Sequence, residues 1–232
     1  MLNKYARAFF TGLFTPVARL LLRLGVSPDV VTLVGTVGVS VGALAFYPRG
    51  EFFWGTVVIT LFVFSDMVDG IMARTAQRSS SWGAFLDSTL DRVGDAAVFS
   101  GLVLYYAGRE DGRGRAMELL ALACLVLGSV VPYARARAEG LGMTASVGIA
   151  ERADRLVSVL VTTGLVGLYE LTGFGLPEVV LLLVLVLLTA ASFVTVVQRM
   201  LTVRSQALGR PLPAAGTAPT AAADGDGGAT GV

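Results

Sequence analysis

Residues 66–91 read D66-M-V-D69-G70-I-M-A73-R74-T-A-Q-R-S-S-S-W-G83-A-F-L-D87-S-T-L-D91, and the apolar runs on either side make the stretch decisive. Leu61-Phe62-Val63-Phe64 leads into it, and Ala96-Ala97-Val98-Phe99 follows soon after it. Ionised carboxylates at membrane depth cost about 2.5–3.5 kcal/mol each on insertion scales unless a positive group answers them. One such acid is an accident of sequence. Asp66, Asp69, Asp87 and Asp91, spaced i,i+3 and i,i+4 on two successive helical segments, call for a cation.

Two consecutive helices with a short connection are antiparallel neighbours. Asp66 and Asp69 share a face of the first, about 4.5 Å apart along the axis, and Asp87 and Asp91 share a face of the second. Both pairs lie toward the joined ends and can converge at one depth. An all-oxygen donor set suits a hard divalent ion, Mg²⁺ with phosphate oxygens completing its shell, with Mn²⁺ as the other candidate. Four carboxylates carry more charge than one ion neutralises, so a pair of ions is expected. Gly70 and Gly83 each remove a side chain where a ligand would approach, Ala73 is small on the same side, and Arg74 can pair with a phosphate or an acid. Acids lining a solvated loop would need neither these small residues at fixed offsets nor Val68, Ile71, Phe85 and Leu86 between them.

The whole composition agrees. The 232 residues are 54% hydrophobic and 15% charged, with a mean hydropathy of +0.72. That is the balance of a multi-span membrane protein, and the fold class expected is all-α. The net charge of +1 gives no reason to expect a nucleic-acid partner. Cys124 is the single cysteine, which excludes an internal disulfide. Histidine is absent, so serine triads, histidine-ligated zinc and imidazole bases are excluded. Proton transfer must fall to carboxylates, Lys4, tyrosines or metal-bound oxygens, and Asp91 is the best candidate to accept a proton from an acceptor hydroxyl.

Residues 1–25 read as an interfacial amphipathic helix, with Phe10, Leu13, Phe14, Val17, Leu20, Leu21 and Leu24 at helical spacing and Lys4, Arg7, Arg19 and Arg23 between the apolar positions. Packing of this helix on its own protein fits the same pattern. Ser27-Pro28-Asp29 resembles a helix start. Six spans are expected, at about 30–47, 52–74, 82–107, 116–138, 152–172 and 177–199. They form one membrane domain over 26–205. Residues 206–232 read as an Ala/Gly/Pro-rich disordered tail. Basic residues set the orientation: Lys4 to Arg23, Arg74, Arg78, Arg135, Arg137, Arg152, Arg155, Arg199, Arg204 and Arg210 fall on one side, against Arg49, Arg109, Arg113 and Arg115 on the other. Both termini and the acid cluster are therefore expected at the cytoplasmic face of the cell membrane.

Arg135 ends the fourth span, Arg152 and Arg155 begin the fifth at i,i+3, and Arg199 ends the sixth. Arginine suits bidentate contact with phosphate, and these four can surround an anion beside the metal site. They can equally be positive-inside residues or partners of Glu139, Glu151 and Asp154. Asp95 continues the i,i+4 row beyond Asp91 and is assigned no metal role.

The pattern Asp66-x-x-Asp69-Gly70-x-x-Ala73-Arg74, eight residues, Gly83-x-x-x-Asp87-x-x-x-Asp91 resembles the signature of the CDP-alcohol phosphotransferase family, with every signature position filled. The resemblance extends over residues 28–200. It implies a metal-dependent membrane enzyme that transfers the phosphatidyl group of CDP-diacylglycerol to an alcohol and releases CMP. It also implies that Asp66, Asp69, Asp87 and Asp91 serve two divalent ions. The nucleotide groove would be formed by Asp66, Asp69, Gly70, Ala73, Arg74 and Gly83, with Pro28, Asp29 and Thr32 near the nucleotide. A homodimer among membrane lipid is implied as well. Within the family, Arg135-Ala-Arg137-Ala-Glu139-Gly140 and Glu151-Arg152-x-x-Arg155 are most similar to the actinobacterial-type phosphatidylinositol phosphate synthases, whose acceptor is inositol phosphate. Glycerol 3-phosphate is the runner-up acceptor, since it too brings a phosphate. A divalent-cation transporter would explain the acids but leave Gly70, Ala73, Arg74 and Gly83 idle, and no inverted repeat supports it.

Overall fold

The computed structural model describes residues 2–75 and 80–209, with side chains from Gly12 onward and without that of Asp66. Arg78 and most of the expected tail lie outside the described residues. Among those described, the fold is all-helical: α1 (Leu2–Arg23), α2 (Pro28–Phe46), α3 (Phe52–Val63), α4 (Ser65–Thr75), α5 (Ser81–Ala107), α6 (Gly112–Glu139), α7 (Arg152–Thr172) and α8 (Glu178–Leu208), plus one 3₁₀ turn at Tyr47–Arg49.

Local chemistry sets the ends of these helices. Ser27 caps α2, its hydroxyl accepting from the Val30 amide at 3.4 Å, with Pro28 in the first turn where a missing N–H costs nothing. Ser80 caps α5 in the same way, accepting from the Gly83 amide at 3.0 Å. At the start of α7 the Glu151 amide donates to the Asp154 carboxylate at 3.2 Å, so Asp154 serves the helix end. α8 continues to Leu208, further than the apolar run alone suggests.

The expected span over 52–74 is not one uninterrupted helix, because it breaks at Phe64 between α3 and α4. The Ser65 hydroxyl donates to the Phe62 carbonyl at 2.6 Å, and the Met67 amide closes a tighter turn onto Phe64 at 3.1 Å. A serine that competes for a backbone carbonyl loosens the regular ladder here, one residue before Asp66.

Among the described residues, five stretches are long and apolar enough to cross a bilayer: Pro28–Arg49, Phe52–Thr75, Gly112–Glu139, Arg152–Thr172 and Glu178–Leu208. α5 falls outside this set although it has 27 residues, because Asp87, Asp91, Arg92 and Asp95 crowd its first half. It packs between α2 and α6 and carries much of the core. That core joins Tyr47, Phe52, Ile59, Phe99, Leu102, Met117 and Leu185. Tyr106 belongs to it too, fully buried beside Phe52. Leu33, Val37, Val41 and Leu44 on α2 and Leu183, Leu187 and Leu201 on α8 face outward, as lipid-facing surface does.

Small residues decide how closely the helices approach. A Cβ at Gly101 would sit 2.7 Å from the Ala43 carbonyl oxygen, and one at Gly167 would sit 2.2 Å from the Phe53 amide nitrogen. Both obstacles are backbone, which cannot swing aside. Gly101→Val and Gly167→Val are therefore expected to separate α5 from α2 and α7 from α3. Thermal unfolding of the detergent-purified variants should fall by several degrees or more, and unchanged midpoints would contradict these contacts.

α1 lies against α4, with Ala18 buried among Val68, Ile71 and Met72, and it runs unbroken through Pro16. Its opposite side exposes Leu13, Val17, Leu20 and Leu24. One face of α1 therefore seals the back of the acid-bearing α4, and the other presents an apolar stripe.

Candidate active site

A cavity of about 240 Å³ opens where the first turns of α2 and α5 meet α4. Pro28, Asp29 and Thr32 contribute from α2, Asp69, Gly70 and Ala73 from α4, and Ser80, Gly83, Ala84 and Asp87 from the start of α5. Two helix N-termini thus border one cavity, where their partial positive charge favours an anion such as phosphate. Three carboxylates, Asp29, Asp69 and Asp87, line the same cavity and favour a divalent cation beside that anion.

Asp69 is buried, and the Thr32 hydroxyl donates to its Oδ2 at 2.5 Å. Thr32 also approaches the Pro28 carbonyl at 3.1 Å, which joins the α2 entry to the acid of α4. Asp87 stands exposed on α5 at the opposite edge. Asp66 occupies the first turn of α4, but its side chain lies outside those described. No trio of acidic or thiol side chains is gathered as for a metal among the described residues. The donor set still fits a hard ion: carboxylate oxygens and a hydroxyl line the wall, with no sulfur or imidazole.

The small residues of the motif keep the cavity open. A Cβ at Gly70 would meet only the Arg74 guanidinium, at 3.7 Å, and one at Gly83 only Ser80 Oγ at 3.4 Å and Asp29 Oδ1 at 3.9 Å. Neither clashes with the protein, so a larger side chain there fills ligand space. Gly83→Leu is expected to weaken metal-dependent binding of CDP or CMP by about tenfold or more while its unfolding midpoint stays near that of the parent. Calorimetric titration with the nucleotide and a thermal melt read the two quantities separately.

Asp91 faces elsewhere. One helical turn beyond Asp87, it pairs with Arg152 at 2.9 Å and Arg92 at 3.6 Å, and it lines a narrow crevice between α2, α5 and α7. Arg152 reaches Asp95 as well, Nε donating to Oδ1 at 3.1 Å. Arg155 is buried beneath, Nη2 donating to the Gly128 carbonyl at 3.4 Å and standing 4.0 Å from Asp95. The structure therefore brings Arg152 and Arg155 together around Asp95. Arg199, also buried, donates to the Val147 and Val131 carbonyls at 2.9 and 2.5 Å. Arg135 lies exposed beside Glu139 at 2.9 Å.

Of the nucleotide-groove residues read from the sequence, Pro28, Asp29, Thr32, Asp69, Gly70, Ala73 and Gly83 line the cavity, Arg74 lies over Gly70, and the Asp66 side chain lies outside those described. Sequence reasoning missed Ser80 and Ala84. The serine three residues before Gly83 is a recognisable cap and was the available signal.

A family model described as CDP-alcohol phosphatidyltransferase matches residues 25–150. The phosphatidylinositol phosphate synthase of Streptomyces avermitilis is 56% identical over 209 residues, 89% of this chain and 84% of that one. The synthase of the same name from Cutibacterium acnes is 48% identical over 202 residues, 87% of this chain and 97% of that one. A crystal structure of Mycobacterium tuberculosis phosphatidylinositol phosphate synthase with CDP-DAG bound is similar at a TM-score of 0.75 and 41% identity, covering 82% of this chain and 92% of that one. The same enzyme in complex with manganese and citrate gives a TM-score of 0.76 at 41% identity, covering 83% and 89%.

Proposed function

Because this chain belongs to the CDP-alcohol phosphatidyltransferase family, we propose that it transfers the phosphatidyl group of CDP-diacylglycerol to inositol 1-phosphate, giving phosphatidylinositol phosphate and CMP. The observation that carries the reading is the cavity in which Asp69 and Asp87 meet the N-terminal turns of α2 and α5 beside Gly70, Ala73 and Gly83. A diphosphate needs anion-binding amides and cation-holding acids in one place, and this cavity offers both. The acceptor assignment draws on the names of the relatives and on the Arg152–Arg155 group.

In this reading Asp66, Asp69, Asp87 and Asp91 hold two divalent ions, Mg²⁺ or Mn²⁺, which supply charge neutralisation on the diphosphate. The first turns of α2 and α5 receive phosphate oxygens through their amides, and Pro28, Asp29, Thr32, Ala73 and Arg74 border the nucleotide. Thr32 keeps the Asp69 carboxylate aimed into the cavity. The acceptor hydroxyl oxygen bonds to the phosphorus that bears diacylglycerol, and the bond from that phosphorus to the oxygen bridging to CMP breaks. Asp91 takes the hydroxyl proton, and CMP leaves with the bridging oxygen. Arg135, Arg152, Arg155 and Arg199 serve the acceptor's phosphate. Acyl chains stay in the bilayer, with α5 as a sixth span and α1 on the membrane surface. The enzyme works as a homodimer in the cell membrane, both termini and the site facing the cytoplasm, a direction that the basic side chains support.

CMP release from CDP-diacylglycerol with Mg²⁺ and one acceptor at a time tests the reading. Release with inositol 1-phosphate, and not with inositol or glycerol 3-phosphate, is expected. Release only with glycerol 3-phosphate would move the acceptor while leaving the donor site in place, and silence with all three would refute the transfer.

A further inference from the structure

Asp95 has no part in the signature, yet among the described residues it and Asp69 are the buried carboxylates. Its two oxygens face two arginines of α7, Arg152 at 3.1 Å and Arg155 at 4.0 Å. Arg152 is shared: Nε goes to Asp95 while Nη1 goes to Asp91, one helical turn earlier on α5. Arg92 adds a second, longer contact to Asp91 at 3.6 Å. Two carboxylates thus divide the attraction of one guanidinium, in a half-buried crevice where salt screens poorly.

That division has a consequence for Asp91. A carboxylate that pairs with Arg152 must give it up, at least in part, to serve a divalent cation. The strength of the Asp91–Arg152 pair therefore enters the cation's affinity. We infer that Asp95 is a positioning residue: by anchoring Arg152 through Nε, it sets how readily Asp91 exchanges that arginine for a divalent cation. This deepens the proposed function and rests on its reading of Asp91 as a cation ligand. Arg155, held by the Gly128 carbonyl, fixes Asp95 from the other side, so the anchor does not drift with Arg152. By linkage, whatever strengthens the hold of Arg152 on Asp91 weakens the cation, and a cation on Asp91 loosens Arg152 for another anion.

Mn²⁺ binding to the detergent-purified full chain, measured by calorimetry without lipid or acceptor, tests this. Asp95→Asn keeps the shape but removes the charge, and it is expected to weaken Mn²⁺ binding by about fivefold or more, the lower end of typical site coupling. Arg152→Gln is expected to tighten it. In the Arg152→Gln background, Asp95→Asn should cost less than about twofold, because the guanidinium shared by the two acids is gone. Equal losses in both backgrounds would mean that Asp95 acts only as a distant charge, and would overturn the inference. Arg152→Gln lies at the rim of the crevice and covers the case in which Asp95→Asn does not fold, since unchanged or weaker Mn²⁺ binding in that variant alone overturns it. Asp91→Asn separates the two levels. Weaker binding there with no effect of Asp95→Asn refutes the positioning role alone, whereas no effect of Asp91→Asn refutes the ligand role of Asp91 and the inference with it.

Discussion

Asp69→Asn is expected to lower CMP release by about a thousandfold or more, the scale on which a preorganised charge partner of a phosphoryl group acts. The substitution keeps the volume of the side chain and its ability to accept from Thr32, so the fold should stand and only the charge is lost. Asp87→Asn should behave alike, because it shares the cavity wall. Thr32→Val probes the same carboxylate indirectly. A hydrogen bond to a charged group contributes about 1.5–3 kcal/mol, so a roughly tenfold to hundredfold loss is expected, smaller than that of the acid itself. Near-normal CMP release from Asp69→Asn at saturating Mg²⁺ would remove the metal assignment. A loss in Thr32→Val as large as in Asp69→Asn would show that Thr32 does more than aim the acid.

The second large effect is expected at Arg155. Arg155→Ala should raise the KM for inositol 1-phosphate by about tenfold or more, since charge-assisted contacts to phosphate are among the strong ones, and leave the KM for CDP-diacylglycerol within about twofold. Among the described residues, Nε and Nη1 of this buried guanidinium have no hydrogen-bond partner, so two of its nitrogens stand ready for further oxygens. The neighbouring Arg199 differs, with its Nε and Nη1 already on backbone carbonyls, and Arg199→Ala is expected to lower the unfolding midpoint as well as to affect the acceptor. Initial rates with each substrate varied at saturation of the other separate these outcomes. Equal rises in both KM values for Arg155→Ala would sink the acceptor pocket.

Much of this was legible in the residues. Carboxylates and glycines at helical offsets inside apolar runs have few inexpensive explanations in a membrane, so Asp69, Gly70, Ala73, Gly83 and Asp87 could be assigned to one site before any coordinates. Pro28, Asp29 and Thr32 were placed by resemblance, and they do line the same cavity. Side-chain partnerships were not legible in the same way. Arg135, Arg152, Arg155 and Arg199 have the same basic character on one line of text, but one sits exposed beside a glutamate, one bridges two aspartates, and two are buried against carbonyls. The break at Phe64 was likewise hidden, because hydropathy is blind to a serine hydroxyl competing for a carbonyl.

The sequence by itself determined the all-helical membrane class, the family and the grouping of Asp69 with Asp87. Each follows from periodicity, from the cost of charge in an apolar medium and from spacing along one chain, all of which are local. Only the tertiary structure decided that Thr32 of α2 supports Asp69 of α4, and that Asp95 shares Arg152 with Asp91. The same holds for Gly101 and Gly167, which set the helix separations. Those outcomes depend on residues far apart in sequence and on distances of a few tenths of an ångström, which arise from how helix faces pack and not from the pattern of any one helix.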